Sequence, residues 1–292
     1  MYKTGKIRMR FACRSRRPEE QAGKGKQMHE LFLPVFEKQN AVTGFFSNAA
    51  GSCAHSPYYQ ETVLRTLGLE RAALVWAKQV HEDHIAVIRN VTDESGRIFP
   101  ADTEGRGYRE SAVYEGKEIF GMRIADTDAL VTDQPGILIT TVHADCLPVA
   151  LYDPVRQAIG VVHAGWRGSV KGIAVKTAET MQRQYGSRPE DLMVWIGPGI
   201  SFCCFETGPE VREAFLERWP WADDCAERRN GSWYLDLKEI NARQLRGAGI
   251  RRIEISPQCT CCEPGFCSYR KEHETKRRMG LGLCLRESAP QR

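Results

Sequence analysis

The stretch from Ile137 to Gly168, ILITTVHADCLPVALYDPVRQAIGVVHAGWRG, decides the fold. It holds three apolar runs, at Ile137–Val142, Pro148–Tyr152 and Ala158–Val162, and a turn at Asp153-Pro154 separates the last two. Short apolar runs rich in β-branched residues are typical of strands that are buried on both faces. The stretch therefore predicts the centre of a layered α/β core.

Helices are expected on the outside of this core. From Ser169 to Tyr185 the apolar residues recur at the three- and four-residue spacing of an amphipathic helix. Further elements are predicted in chain order: strands at Val75–Val80, Ile85–Ile88 and Leu192–Ile196, helices at Pro209–Glu217 and Leu237–Arg246, and a strand at Arg251–Ile255. The predicted fold class is α/β, a single domain with a mixed β-sheet core and outer helices.

Two segments differ from this pattern. Residues 1–30 are rich in Lys and Arg and are interpreted as a disordered basic leader, in preference to an arm that binds nucleic acid. Residues 90–118 are polar and glycine-rich without a sustained period, which indicates a long surface insertion. We therefore expect a single catalytic domain over residues 31–292 that carries an insertion at about 90–118.

The composition excludes several classes of protein. The chain has 292 residues, of which 42% are apolar and 27% charged, as expected of a soluble globular protein. It has neither the apolar run of a membrane span nor the apolar segment of a secretory signal. A net charge of +4 is too small to favour a nucleic-acid partner. We expect a cytoplasmic monomer or small homo-oligomer whose eleven cysteines are reduced.

Three reactive side chains stand at the ends of predicted strands: His81, Cys146 and His163. In an open sheet such positions meet at the crevice beyond the strand ends, where ligands bind. Two imidazoles and a thiolate suit Zn²⁺ and leave a fourth tetrahedral position open, which is typical of catalytic zinc. We therefore predict a zinc site of these three residues. The alternative for each is an ordinary buried side chain.

Neighbouring polar residues are candidates for handling substrate and protons. Arg167, in the glycine-bearing turn before a helix, is placed to bind phosphate, or else only fixes the loop. Asp145 is a candidate proton carrier or a turn carboxylate. His143 is a candidate proton shuttle or a packed core histidine. Arg270 is a candidate for binding phosphate or ribose, with a surface ion pair as the alternative.

A cysteine-rich run near the C-terminus is a candidate for a second zinc site. It reads Cys259-Thr260-Cys261-Cys262 and is followed by Cys267. No second pair of ligands stands at the spacing of a zinc finger, so the sequence favours thiols without a metal there. Cys203 and Cys204 are interpreted as buried structural thiols.

Several motifs carry a resemblance to a known family. Those at the predicted site are Gln79–His81, Asp128–Thr132, Ala144–Pro148 and His163–Gly168, and those beyond it are Ile196–Ser201, Phe205–Gly208, Cys259-Thr260 and Phe266–Arg270. Over about residues 40–282 the chain resembles the multicopper-polyphenol-oxidase-like family, now regarded as purine nucleoside phosphorylases and adenosine deaminases. The resemblance implies a cysteine-hydrolase-like layered architecture, with zinc ligands at His81, Cys146 and His163.

The chain departs from the family pattern in three places. An early Thr-Arg before Gly-Gly reads Ser47-Asn48 before Ala49-Ala50, which makes Asn48 a candidate substrate-binding residue. A later Asn-Arg pair is replaced near Tyr59-Gln60, and a final Thr-Gly-Arg reads Thr275-Lys276-Arg277. These changes and the 90–118 insertion bear on substrate preference and leave the metal ligands unchanged.

The preferred hypothesis is a zinc-dependent purine nucleoside enzyme. It cleaves adenosine, inosine, guanosine or methylthioadenosine with phosphate, and it deaminates adenosine. Its catalytic residues are Cys146, His163 and Asp145, and its substrate-binding residues are Arg167, Arg270, His143 and Asn48.

Other functions stay open at this point. A copper-dependent polyphenol oxidase is disfavoured because several coppers need many imidazoles and the chain has seven histidines. A metal-free cysteine hydrolase would use Cys146 as nucleophile and His163 as base. The last alternative is a metal-binding module without enzymatic activity, which would have a closed coordination shell.

Overall fold

The structure is a computed structural model that describes residues 29–31, 42–48, 69, 72–92, 98–102, 107–114, 117–273 and 277–286. The predicted leader lies outside the described residues, except for His29 and Glu30, which belong to the first strand. The replaced pair near Tyr59-Gln60 also lies outside them, as do Thr275 and Lys276.

The described residues form strands and helices in the following order. The strands are β1 (His29–Leu31), β2 (Val42–Asn48), β3 (Ala73–Ala77), β4 (Ile85–Thr92), β5 (Ile98–Asp102), β6 (Gly107–Tyr114), β7 (Lys117–Ile124), β8 (Ala129–Thr132), β9 (Ile137–His143), β10 (Leu147–Asp153), β11 (Ala158–Ala164), β12 (Met193–Ile196), β13 (Glu206–Thr207), β14 (Ala226–Arg229), β15 (Ser232–Leu235), β16 (Arg252–Ile255) and β17 (Met279–Leu285). The helices are α1 (Trp166–Val170), α2 (Ile173–Tyr185), α3 (Pro209–Arg218), α4 (Leu237–Gly247) and α5 (Tyr269–Glu272), and a 3₁₀ helix spans Pro220–Cys225.

The strands form two seven-stranded sheets and one small sheet. The first sheet has the order β1-β2-β17-β9-β3-β7-β6, and the second has the order β16-β12-β10-β11-β8-β4-β5. Both sheets are mixed, because each contains parallel and antiparallel neighbours, such as β3 parallel to β9 and β10 antiparallel to β11. The small sheet has the order β13-β15-β14. The predicted mixed-sheet core is confirmed, but it consists of several sheets rather than one.

The second sheet is the middle layer of the molecule. Along β10, Leu147, Val149 and Leu151 pack into a cluster with helix residues such as Phe215, while the alternate residues belong to the cluster shared with the first sheet. Both faces of β10 are therefore buried, which explains why its sequence is apolar at nearly every position. The predicted outer helices are confirmed as a layer on the far face of this sheet.

The predicted helix from Ser169 to Tyr185 is two helices. Gly172, between α1 and α2, has φ +75°, a left-handed conformation that interrupts the helix and that glycine adopts without strain. The apolar spacing continues through the interruption, because Val170 and Ile173 both contact the same core.

Among the described residues, no helix has the length and apolar character needed to cross a membrane.

The described part of the segment predicted to be a surface insertion, at about 90–118, contains strands. It contains the end of β4, all of β5 and β6, and the start of β7. β5 and β6 are the edge strands of the two large sheets, each paired antiparallel with the neighbouring strand in the sequence. Edge strands need an apolar face on one side at most, so their sequence lacks the long apolar runs that marked β9, β10 and β11.

Candidate metal centre

The loop that carries His81 is fixed by a buried carboxylate. His81 lies beyond the end of β3 and has φ +63°, an unfavourable backbone conformation for a residue with a side chain. The Asp128 carboxylate, which is fully buried, accepts the backbone N–H groups of Val80, His81 and Glu82 at 3.1, 3.1 and 3.0 Å. Hydrogen bonds to a charged acceptor are stronger than neutral ones, so these three offset the cost of the strained turn.

The same carboxylate orients His163. This residue lies near the end of β11, and its Nδ1 is 2.8 Å from Asp128 Oδ1. The bond directs Nε2 away from Asp128 and leaves it available for a metal, the arrangement that positions most metal-binding histidines. Burial raises the pKa of Asp128, but the hydrogen bond and charge of His163, together with backbone N–H groups, lower it overall, so Asp128 is charged.

Cys146 completes the set at the start of β10. One ligand atom each from His81, Cys146 and His163 lies within 4.8 Å of the others. The rings of His81 and His163 meet edge to face, with centroids 4.8 Å apart. His81 is exposed, Cys146 partly exposed and His163 buried, so the point that they share opens to solvent on one side.

A glycine makes room for this convergence. A Cβ atom added to Gly165 would lie 3.1 Å from Cys146 Sγ, 3.6 Å from His81 Cδ2 and 3.8 Å from His163 Cε1. A side chain there would fill the space between the three residues. The space and the donor set, two imidazoles and a thiol, fit a zinc ion with one coordination position left for water or substrate.

Cys146 and His163 also perturb each other electrostatically. Burial raises the pKa of Cys146, but the charge and hydrogen bonds of His163 and His81 lower it to about 6 overall. Burial lowers the pKa of His163, but Cys146 and Asp128 raise it to about 9 overall. The thiol is therefore ionised at neutral pH, which is the protonation state in which cysteine binds a metal.

His143 is packed beside the centre. It is fully buried at the end of β9, its ring centroid is 5.4 Å from that of His163, and burial lowers its pKa well below the ordinary value. Its Nε2 contacts Thr141 Oγ1 at 2.9 Å, and its Nδ1 contacts the Cys146 carbonyl oxygen at 3.2 Å. These contacts place a neutral imidazole against the ligand segment.

Asp145 precedes Cys146, but its carboxylate contacts the C-terminal loop. It accepts hydrogen bonds from Thr260 Oγ1 at 2.7 Å, Ser268 Oγ at 2.9 Å and the Arg270 N–H at 2.7 Å. Asp145 has φ +83°, which turns the chain sharply before the ligand. The carboxylate therefore joins the Cys146 turn to the loop between β16 and α5.

The two arginines that the sequence singles out have different surroundings. The Arg270 guanidinium donates to the backbone carbonyls of Cys204 and Glu206, each at 2.8 Å. Arg167 lies in the first turn of α1, two residues from Gly165, and its exposed guanidinium stacks on the Trp166 ring at 4.4 Å from the centroid. Arg270 thus holds the loop after β12, while Arg167 presents a cation to solvent near the centre.

Asn48 is the last residue of β2. The residue before it, Ser47, pairs with Gly280 of β17, which pairs in turn with Val142 of β9. This register places the Asn48 backbone at the end of the first sheet where β9 reaches His143. The structure does not describe the Asn48 side chain.

Asp128 and Gly165 had no predicted role, although both lie in motifs that carry the family resemblance. Asp128 begins the Asp-Ala-Leu-Val-Thr motif, and Gly165 is the glycine of His-Ala-Gly-Trp-Arg-Gly. An acidic residue directly before three apolar ones was the available signal for Asp128. The close approach of Gly165 to Cys146 and His81, which lie in two other segments, had no signal in the sequence.

Fold and site together define a class: a layered α/β protein whose strand ends carry a His-Cys-His set fit for one metal ion. Residues 58–286 match the family described as "Multi-copper polyphenol oxidoreductase laccase". The chain belongs to this family, as the resemblance predicted.

Similar proteins carry the names of two nucleoside enzymes. The chain is 30% identical over 219 residues to "Purine nucleoside phosphorylase YlmD" of Bacillus subtilis, an alignment that covers 73% of this chain and 71% of the relative. It is 35% identical over 215 residues to "Adenosine deaminase RL5" of an unknown prokaryotic organism, with 72% and 74% covered. The family therefore includes proteins named for purine nucleoside chemistry.

Solved structures share the fold. The hypothetical protein YfiH of Bacillus licheniformis superposes with a TM-score of 0.69 at 27% identity, over 88% of this chain and 96% of that one. YlmD of Geobacillus stearothermophilus gives 0.68 at 24% identity, over 91% and 98%. The mixed α/β architecture of this chain is thus that of known members.

Proposed function

We propose that this protein is a zinc-dependent purine nucleoside enzyme that uses phosphate to cleave adenosine, inosine, guanosine or methylthioadenosine and that deaminates adenosine. The observation that carries the proposal is the convergence of His81, Cys146 and His163 on one point that is open to solvent. Relatives named for both reactions support the choice of substrate.

The protein's own residues prepare the site for this chemistry. Asp128 orients His163 and the His81 loop, and His163 keeps Cys146 ionised. A zinc ion held there supplies a Lewis acid with one coordination position open. In deamination, water adds at C6 of the purine and ammonia leaves, so the site must accept and return a proton. His143, against the Cys146 carbonyl, and Asp145, beside the ligand, are the candidates for that exchange.

Phosphorolysis needs a place for phosphate as well. A phosphate oxygen bonds to C1′ while the glycosidic bond breaks and its electron pair goes to the purine. Arg167 is the candidate for holding the phosphate, because its guanidinium is exposed two residues from Gly165. Arg270 and Asn48 stay candidates for contacts to the sugar. Arg270 would have to exchange its bonds to the carbonyls of Cys204 and Glu206.

A metal-free cysteine hydrolase is the second candidate, and one observation favours it. His163 lies between the Cys146 thiol and the Asp128 carboxylate, which is the order of nucleophile, base and orienting group in such enzymes. The cysteine-hydrolase-like layering that the family resemblance implies would suit such an enzyme. The polyphenol oxidase is less supported, because among the residues that the structure describes only two histidines, His81 and His163, join the cluster.

A nucleoside panel assayed with and without phosphate, on protein of measured metal content, tests the proposal. We expect base release that depends on phosphate, ammonia release from adenosine that does not, and loss of both after chelation. Protein with full zinc that turns over no nucleoside would rule the proposal out. Thioester or amide hydrolysis that survives chelation would favour the hydrolase instead.

We further propose that the protein is cytoplasmic, since thiolate ligands need a reducing compartment. We also propose that it is a monomer or a small homo-oligomer.

A further inference from the structure

Four cysteines lie together away from the candidate metal centre. One sulfur each from Cys203, Cys204, Cys259 and Cys262, here called the four-cysteine cluster, lies within 4.8 Å of all the others. All four are free thiols, and the Cys203 and Cys262 sulfurs are 3.7 Å apart. Tetrahedral zinc–thiolate bonds of about 2.3 Å place neighbouring sulfurs about 3.8 Å apart. The cluster is thus near the geometry of a metal site.

We propose that the four-cysteine cluster binds a second zinc ion, with a closed structural shell of four thiolates. Cys259 and Cys262 have the C-x-x-C spacing found in structural zinc sites. The missing second pair is Cys203 and Cys204, more than fifty positions earlier in the chain. The two halves of the site thus come from separate segments, which is why spacing alone argued against a metal here.

The position of the two pairs in the fold explains how they meet. Cys203 and Cys204 follow β12, and Cys259 and Cys262 follow β16, which is the parallel neighbour of β12. A bridge between Gly199 and Cys259 extends this pairing beyond the strands. Two loops that leave neighbouring parallel strands in the same direction therefore bring both pairs to one end of the second sheet.

The surroundings of Cys259 favour a charged sulfur at that position. The Ser201 N–H donates to Cys259 Sγ at 3.4 Å, as backbone groups do around the thiolates of zinc sites. A shell of four thiolates around Zn²⁺ has a net charge of −2, which needs nearby positive charge. Lys238 is buried, donates to the carbonyls of Ser256 and Gln258 at 2.9 and 2.6 Å, and interacts electrostatically with Cys259 and Cys203.

Packing alone accounts poorly for the cluster. Buried cysteines in a core act as small apolar side chains, but only Cys259 of the four is buried and Cys262 is exposed. Core packing therefore does not explain why four sulfurs lie together at this end of the second sheet. A metal there would join the loop after β12 to the loop after β16. Both of these loops hydrogen-bond Asp145, through the Ile200 N–H and the Thr260 hydroxyl.

Metal analysis of variants tests the second site without any assay of activity. We expect wild-type protein purified with a reducing agent to hold two zinc ions per chain. The pair of substitutions Cys203→Ser and Cys262→Ser should leave one, and His81→Ala should also leave one. The matched control Cys261→Ser lies in the same run but outside the cluster, and it should keep two.

Cobalt substitution gives a second measurement that does not need the cysteine variant to fold. In the His81→Ala protein, which keeps all four cysteines, bound Co²⁺ should show the strong visible absorption of a tetrahedral four-thiolate site. A zinc content that is the same in the wild type and in the Cys203→Ser, Cys262→Ser variant, no cobalt spectrum in the His81→Ala protein, or a disulfide within the cluster under reducing conditions would overturn the proposal. None of these results depends on whether the protein acts on nucleosides.

Discussion

Asp128 and His163 are joined twice, by the side-chain contact of 2.8 Å between Asp128 Oδ1 and His163 Nδ1 and by the backbone bond from His163 N–H to the Asp128 carbonyl, also 2.8 Å. The same carboxylate caps three N–H groups of the loop that carries His81. One buried residue thus positions two of the three predicted ligands.

Asp128→Asn should weaken metal binding by about 10- to 100-fold, the range found when partners of metal ligands are changed. All four groups that face the carboxylate side chain are donors, two on each oxygen. An amide has a single acceptor oxygen, so two of the donors would meet an NH₂ group. Zinc competition with a chromophoric chelator measures the change.

The control for this substitution is Asp126→Asn. Asp126 is exposed and has φ +46°, a conformation that asparagine tolerates well. It should bind zinc as the wild type does. Equal zinc affinity in the Asp128 variant and the wild type would contradict the role assigned to Asp128.

Gly165→Ala should reduce nucleoside turnover by about 100-fold, the scale of a 1 Å misplacement in a catalytic site. The added methyl would lie 3.1 Å from Cys146 Sγ, closer than sulfur and carbon normally approach, so the ligands must move apart. Gly247→Ala, whose new methyl would meet no atom within 4 Å, is the matched control and should retain activity. A fully active Gly165 variant with normal zinc content would show that the space is not needed.

Cys146 should react unusually fast with iodoacetamide once metal is removed. Its pKa of about 6 means that the thiolate fraction rises through pH 6 and levels off near neutrality, whereas an ordinary thiol continues to gain reactivity up to about pH 9. Zinc should protect the sulfur at every pH. Peptide mass spectrometry follows Cys146 and, as a reference, Cys225, whose pKa burial raises to about 12. A Cys146 that is equally reactive with and without zinc would argue against ligation.

Thr260→Val should destabilise the protein by about 1–3 kcal/mol, because it removes a hydroxyl donor from the buried Asp145 carboxylate. Urea unfolding measures this loss. Thr207→Val is the matched control: its hydroxyl is buried without a hydrogen-bond partner among the described residues, so the valine should be neutral or stabilising. Similar unfolding midpoints for the two variants would show that the bond to Asp145 contributes little.

The sequence predicted those parts of the fold that local pattern determines. The apolar runs of β9, β10 and β11 identify strands buried on both faces, and the motifs around His81, Cys146 and His163 identify three residues that the fold brings together. The division into two stacked sheets depends on long-range pairing, such as β17 between β2 and β9, which no local pattern encodes.

The roles of residues that act through tertiary contacts could not be predicted from the sequence either. Asp128 binds groups more than thirty positions away on both sides, and the two halves of the four-cysteine cluster are further apart still. Its position next to Cys146 suggested catalysis for Asp145, and its guanidinium suggested substrate binding for Arg270, yet their polar atoms contact the loops around the site.

Anomalous diffraction at the zinc absorption edge, on crystals of the zinc-loaded protein, tests the central claim most directly. We predict a zinc peak about 2.0–2.3 Å from one nitrogen each of His81 and His163 and from Cys146 Sγ, with a fourth position that no protein side chain occupies. No anomalous peak between these three residues, or a fourth protein ligand that closes the shell, would contradict the account.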